Sequence, residues 1–389
     1  MNFNDLLDIL QNKTTYGNYN IIVFIDAIIF LLFSIAVLYL FIFALAAQKK
    51  KYSPYPPADI NHRFILLFPA YKADAIILNS VTSLFNQQYP KECFDIVVAC
   101  KDMKEDTISR LQDMPVITVI SDHSDDTKTS LIQYATCMLP PEAYDMIVIL
   151  DANNTVSPDF LTKINDAYYS GCQVVQTHRQ SKDIQTDIEA LTALIEEINN
   201  AIFRKGHVRL GFSSALISSG MAFDYDWFRK HIFMLDKKDF DKPIEAMLFK
   251  EYIYIDYLEN VYTYDKKVSS SSDFYEQRRR WASADSGRKA IWNILKALIN
   301  EKWDYADKLF QWLMPSRLIL LGLLFLFSAF IFIIDWALAI KWFVLCLIML
   351  ITMSICIPDR MITKRFQRAI ILAPLLFVLS ILGRFKRNS

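Results

Sequence analysis

The chain has 389 residues, 53% of them hydrophobic, with 42 acidic and 42 basic side chains. It is too long for one small domain and too apolar for an ordinary soluble one. The balanced charge removes any bulk electrostatic argument for nucleic acid as a partner. Six cysteines (93, 100, 137, 172, 346, 356) show no CxxC spacing, so a disulfide framework or zinc site is not expected. A reducing compartment fits.

Residues 20–47 form an apolar run interrupted mainly by Asp26 and Ser34, long enough to cross a bilayer as a helix. The length and the missing small-residue cleavage site argue against a removed signal peptide. Lys49, Lys50 and Lys51 follow at once, which places that end in the cytoplasm and residues 1–19 outside. Tyr52–His62, with Pro54, Pro56 and Pro57, reads as a stiff linker.

Short apolar runs then alternate with helix-like segments. Strands are predicted at 64–69, 95–99, 116–120, 146–151 and 173–177, and helices at roughly 75–87, 106–113, 128–138, 159–170 and 184–204. Continuous apolar strands separated by amphipathic helices argue a parallel sheet covered on both faces. Such sheets place ligands at the carboxyl ends of their strands. There stand Pro69-Ala70-Tyr71-Lys72-Ala73-Asp74, then Lys101-Asp102, then Asp151-Ala152-Asn153-Asn154.

Further on comes Gln277-Arg278-Arg279-Arg280-Trp281. Arginine forks bind phosphate oxygens bidentately and an indole face covers a sugar ring, so the run suits a diphosphate-linked sugar. The competing reading is a basic patch beside the membrane, held to anionic lipid headgroups. Leu318–Ile334 and Trp336–Ile357 read as a transmembrane hairpin with Asp335 and Lys341 near its outer turn. Arg360, Lys364, Arg365 and Arg368 return the chain to the cytoplasmic face. Ala369–Leu382 is short and contains Pro374, so it is expected to be interfacial or re-entrant rather than spanning.

Six motifs follow one another in order: FPAYKAD (68–74), ILDANN (149–154), QTHR (176–179), SGMAF (219–223), FDKPIE (240–245) and QRRRW (277–281). Over about residues 63–285 the chain resembles the membrane-bound family-2 glycosyltransferases, which include cellulose and hyaluronan synthases and their bacterial relatives. The resemblance implies a GT-A fold: an α/β, Rossmann-like, mostly parallel sheet in a cytosolic domain (48–312). It would be anchored by helix 20–47, a hairpin at 313–357 and a basic loop with an interfacial or short fourth helix at 358–389. It implies a multi-pass protein of the cell's inner or plasma membrane.

By the same resemblance, Pro69, Ala70, Tyr71 and Asp74 would hold the nucleobase and ribose, Asp74 serving otherwise as a helix cap. Asp151 and Asn153 would hold a divalent metal, Mn2+ or Mg2+, in a DxD-like motif whose second acid is here an amide. A plain turn seeded by Asn153-Asn154 is the alternative. The family's nucleotide-contacting Asp after the second strand is replaced by Lys101, leaving either Asp102 as substitute or Lys101 against a phosphate. Lys128 would lie beside the donor, and a solvated helix face is its ordinary alternative. Asp241 aligns with the catalytic base although Phe240 replaces the usual preceding acid, with Asp239 and Glu245 as competitors. Gln277, Arg280 and Trp281 carry the QxxRW pattern, with Arg280 on the pyrophosphate and Gln277 and Trp281 on the acceptor side. Gly220 and Met221 would also line the acceptor. His178, Arg179 and His207 receive no role.

The implied reaction is inverting transfer of a sugar from a nucleotide sugar, UDP-linked by expectation, to a growing polysaccharide. The alternatives are a membrane-lipid acceptor, or a non-catalytic homologue that scaffolds a synthase complex. So few helices would need an oligomer or a synthase partner to complete a pore.

Overall fold

The computed structural model describes residues 16–49, 55–122, 127–236, 240–265, 272, 275 and 287–385. Strand β1, Phe64–Tyr71, shows why a continuous apolar run marks this sheet. Its alternate residues Phe64, Leu66, Phe68 and Ala70 enter one hydrophobic cluster, while Ile65 and Leu67 enter a second on the opposite face. The strands β2 (Phe94–Lys101) and β4 (Met146–Ile149) divide their side chains the same way. A strand buried on both faces has no polar side to display.

The eight-stranded sheet runs β3-β2-β1-β4-β7-β6-β8-β5. β1 pairs in parallel with β2 and β4, and β2 with β3 (Ile117–Ile120), as expected. Beyond β4 the sheet becomes mixed while staying mostly parallel, as expected. β7 (Met221–Asp224) inserts antiparallel between β4 and β6 (Val174–Ser181). β8 (Ile255–Asp265) then runs parallel to β6, and the two-residue β5 (Thr155–Val156) closes that edge antiparallel to β8. The pairing of β6 with β8 slips between Thr177 and His178, an irregularity that re-aims the side chains after it.

The helices α1 (Tyr16–Ala47), α2 (Ile77–Leu84), α3 (Glu105–Gln112), α4 (Lys128–Met138), α5 (Phe160–Tyr169) and α6 (Asp187–Asn200) lie close to the predicted segments. α4 starts where Thr127 Oγ1 accepts from Ser130 N–H at 3.2 Å, and α6 where Thr186 and Glu189 form a capping box. α6 continues as a π-helical turn, Ala201–Gly206, packed against α1. After α7 (Tyr225–His231) and α8 (Asp241–Lys250) come α9 (Gly287–Ile299) and α10 (Trp303–Leu313).

Among the described residues three helices are long and apolar enough to cross a membrane: α1, α11 (Arg317–Ile334) and α12 (Trp336–Ile355). Asp335 separates the last two and caps α12 by accepting from Ala337 N–H at 2.9 Å. Asp26 of α1 pairs with Lys341 and accepts from Trp342 Nε1–H at 2.8 Å, both on α12. Phe30, Phe33 and Phe327 surround the Trp342 ring. Segment 369–382 falls in two helices, α13 (Lys364–Ile371) and α14 (Ala373–Phe385), with Pro374 in the first turn of the second.

Basic residues after α12 bind the α/β body. Arg360 Nη2 donates to Glu197 at 2.7 Å and Arg365 Nη1 to the Ile184 carbonyl at 2.5 Å. On the other side of α6's continuation, Gly206 admits α1: a Cβ there would lie 2.2 Å from the Phe43 carbonyl oxygen. Backbone cannot yield as a flexible side chain can. Gly206→Ala is therefore expected to cost about 1–3 kcal/mol, seen as a lower melting temperature in detergent.

Candidate active site

The carboxyl end of β4 turns sharply at Asp151–Asn154, with Asn154 N–H donating to the Asp151 carbonyl at 2.9 Å. Asn154 is fully buried, and its Oδ1 accepts from Asp151 N–H at 2.8 Å and from Ser219 Oγ. Ser80 Oγ on α2 donates to the Ala152 carbonyl at 2.7 Å. The backbone that carries Asp151 is thus held from three sides, leaving its half-buried carboxylate to project.

That carboxylate meets Lys128, the first residue of α4, with Nζ 2.5 Å from Asp151 Oδ1. Lys128 Nζ also donates to the Ser218 carbonyl, and Ser218 Oγ donates to Asp241 at the start of α8. Asp151, Lys128 and Asp241, expected near a donor from sequence, are therefore joined through Ser218, which sequence reasoning did not single out.

Ser218 belongs to the loop 214–220 before β7, and its φ of +33° lies outside the range L residues favour. The surroundings hold it there. Fully buried Gln176 donates Nε2–H to the Ser219 and Gly220 carbonyls at 3.0 and 3.2 Å, and its Oε1 accepts from Ile217 N–H at 2.9 Å. Glu245 Oε1 accepts from Leu216 N–H at 2.6 Å. Gly220 takes φ +67°, and a Cβ would stand 2.4 Å from Thr177 Oγ1 and 2.6 Å from Thr263 Oγ1. Met221, expected on the acceptor side, points its side chain into the core and is fully buried, so only its backbone can face a ligand.

A second group lies along the same edge, where Tyr71 and Lys101 are register partners at the ends of β1 and β2. The chain leaves both strands through left-handed residues, Lys72 at φ +49° and Asp102 at φ +50°. Lys72 Nζ lies 3.9 Å from Asp102 and 4.8 Å from the Tyr71 ring centre. Pro69 is half-buried, Ala70 buried and Tyr71 exposed, so a ligand would meet backbone at 69–70 and a ring at 71. Lys101 is largely buried and Asp102 exposed, which makes Asp102 the more accessible substitute. Asp74 accepts from Lys104 N–H at 2.8 Å. The Thr107 hydroxyl first, then Lys104 N–H, hold its carboxyl below the usual range. Its partners lie at the start of α3, so it does not cap α2, the helix that follows it.

His178 and Arg179 have structural partners. His178 lies 3.2 Å from Glu197 and 3.0 Å from the Glu259 carbonyl. Arg179 Nε donates to Asp265 at 2.8 Å. Burial opposes the Arg179 charge, but Asp265, Glu196 and Asp151 together raise its pKa further. Gln277, Arg280 and Trp281 lie outside the described residues, as does Asp239.

For a metal, the strand end offers the Asp151 carboxylate and the Asn153 amide oxygen, the latter 3.3 Å from Asn154 Nδ2. Among the described residues no group of three or more His, Cys, Asp or Glu could hold an ion. This donor set fits a divalent cation whose remaining ligands are phosphate and water, and not a closed protein cage.

Residues 62–284 match the model of the glycosyltransferase like family 2. The chain belongs to this family. It is thus a glycosyltransferase, and the sheet described above is its GT-A-like frame. The mannosyltransferase PcManGT from Pyrobaculum calidifontis, in complex with GDP-Man and Mn2+, is similar over 92% of this chain and 99% of its own. Sequence identity is 12% and the TM-score 0.56, a likeness of fold. S. aureus TarS 1-349 in complex with UDP aligns at 14% identity over 59% of this chain and 68% of that one, with a TM-score of 0.39. No curated protein matches the sequence.

Asn154→Ala removes the acceptor of buried Ser219 Oγ–H in the turn of this glycosyltransferase, while Asp151 N–H keeps Ser219 Oγ at 3.1 Å. An unsatisfied buried donor costs about 1–3 kcal/mol, so thermal denaturation should show a loss of that size. A variant melting with the wild type would mean that the turn is held without Asn154.

Proposed function

We propose that the chain transfers a sugar with inversion from a nucleoside diphosphate to an acceptor at the membrane. The observation that carries this reading is the connected path Asp151–Lys128–Ser218–Asp241, which supports it by joining a lysine and two carboxylates at one end of the sheet. Asp241 accepts the acceptor hydroxyl proton while that oxygen attacks the anomeric carbon. The bond from that carbon to the diphosphate breaks on the opposite face. Lys128 meets the charge that develops on the leaving oxygen. Asp151 and Asn153 would hold a divalent ion, which neutralises phosphate charge when bound. Pro69, Ala70, Tyr71, Asp74 and Asp102 take the nucleoside, and the backbone of Gly220 and Met221 borders the acceptor. Arg280, Gln277 and Trp281 complete the site by the sequence pattern. PcManGT, the neighbour similar in fold, was solved with GDP-Man and Mn2+, a donor and ion of the class proposed.

The domain is proposed to face the cytosol. Gln48 Nε2 donates to the Ile355 carbonyl at 2.7 Å, so the C-terminal ends of α1 and α12 lie on one side, and basic residues follow both. The acceptor is a growing polysaccharide, or else a membrane lipid. The lipid is favoured by one feature: the described spans pack on one another through Trp342, Phe33 and Phe327.

Asp241→Asn should lower transfer by on the order of 10²–10⁴ while leaving nucleotide-induced thermal stabilisation intact. Screening UDP and GDP with and without Mn2+ by thermal shift identifies the base and tests the ion together. Transfer at the wild-type rate by Asp241→Asn would end the assignment of the base. Sizing the labelled product then separates polymer from single-sugar lipid.

A further inference from the structure

Asp241 is the first residue of α8, and the contacts along that helix fix what stands beside it. α8 and α10 pack antiparallel. Lys302, just before α10, donates Nζ–H at 3.0 Å to the carbonyl of Lys250, the last residue of α8. Tyr305 packs on the cluster that holds Ile244 and Leu248, and Lys308 Nζ lies 5.9 Å from the Phe249 ring centre. At the other end, Lys242 Nζ lies 6.0 Å from the Trp312 ring centre. The last turn of α10 is therefore brought to the first turn of α8, where Asp241 stands.

Trp312 is also where the chain approaches the apolar helices. α10 ends at Leu313, and α11 begins at Arg317, whose guanidinium carbon lies 3.9 Å from the Phe203 ring centre. Trp312 packs against the cluster of Ala297, Ala306 and Leu309 yet stays half-buried, as do Lys242 and Asp241. At 6.0 Å the ammonium sits at the outer limit of a cation–π contact, so ring and cation are neighbours and not a closed pair.

An indole face, an ammonium and a carboxylate thus meet at one place. An indole covers the C–H face of a sugar ring, and an ammonium donates to its hydroxyls. An anionic group would meet the Asp241 carboxylate as well as Lys242, which favours a neutral ring over a phosphate.

We propose that Trp312 and Lys242 hold the acceptor as a sugar ring, its C–H face on the indole and its hydroxyls toward the ammonium. One hydroxyl is then presented to Asp241. It gives its proton to that carboxylate as its oxygen bonds to the donor's anomeric carbon and the nucleoside diphosphate leaves. The ring is the end of a glycan or the headgroup of a glycolipid, which share this chemistry. The inference rests on Asp241 being the base proposed above.

The test follows transfer of labelled sugar by the full-length protein in membranes, with Trp312→Ala, Trp312→Phe, Lys242→Gln and Asp241→Asn compared. Methylation analysis of the wild-type product identifies the group to which the label is joined. A sugar there supports the proposal, and partition into organic solvent then separates glycolipid from glycan. A phosphate or a plain lipid alcohol there overturns it. Trp312→Ala should lower transfer on the order of tenfold or more, while nucleotide-induced thermal stabilisation keeps its wild-type size. Trp312→Phe retains a flat face and should recover most of the loss. Wild-type transfer by Trp312→Ala, a Phe variant no better than the Ala one, or stabilisation lost together with transfer overturns the proposal. Where Trp312→Ala does not fold, Lys242→Gln is read instead: reduced transfer with intact stabilisation supports the subsite, and wild-type transfer overturns it. Full activity of Asp241→Asn would remove the base itself, whereas its inactivity beside an unimpaired Trp312→Ala would remove only the acceptor subsite.

Discussion

The Lys128 ammonium, set between the Asp151 carboxylate and the Ser218 carbonyl, is the constraint on which the site's geometry depends. Three elements meet there: the turn after β4, the first turn of α4 and the loop before β7. The two side chains remain 26% and 29% exposed, so water screens the pair and its stabilising contribution is about 1 kcal/mol or less. Its importance is positional. The ammonium at that point neutralises Asp151 and ties the turn after β4 to the loop before β7. The same arrangement accounts for a strand end with one carboxylate where the family pattern has two. Asn153 adds an amide oxygen without charge beside that carboxylate.

The first half of the sheet was legible because β1, β2 and β4 bury both faces and so read as unbroken apolar runs. α4 was legible to the residue, since Thr127 supplies an evident cap ahead of Lys128. β7 and β8 were not. β7 is four residues long, and β8, IDYLENVYTYD, carries acidic and amide residues among its aromatics, so neither resembles a buried parallel strand. Without β7, the antiparallel placement of β6 could not be foreseen from Val174 and Val175 alone. Strand ends gave the site's outline, because parallel strands bring Tyr71, Lys101 and Asp151 to one edge. The supports were hidden. Gln176 and Asn154 are buried, and no local pattern separates an amide such as Gln176, which bonds four backbone groups, from one in solvent.

Ser218 illustrates the same limit from the other side. A serine at φ +33° is not a choice that local propensity makes. It is imposed by the Gln176 amide, by Glu245 on Leu216 and by the space that Gly220 alone can fill beside Thr177 and Thr263. Strain held by several independent bonds is what a preorganised site requires. The loop gives Asp241 a hydroxyl donor and Lys128 a carbonyl acceptor before any ligand arrives.

Membrane and catalytic domain are joined at two separate places. Arg360 and Arg365 leave α12 and bond to Glu197 and the Ile184 carbonyl at the α6 side. Burial alone would raise the pKa of Glu197, yet His178 and Arg360 more than offset it and hold the carboxylate charged. Tyr39 and Phe43 of α1 meet His207, whose ring stacks on Phe43 with centres 3.6 Å apart, and Tyr39 continues to Asp307. A body tied at two such points cannot swing freely about its linker. α9 shows Ile291, Trp292, Leu295 and Ile299 outward, while Ala297 packs on Ala306 and Leu309 of α10.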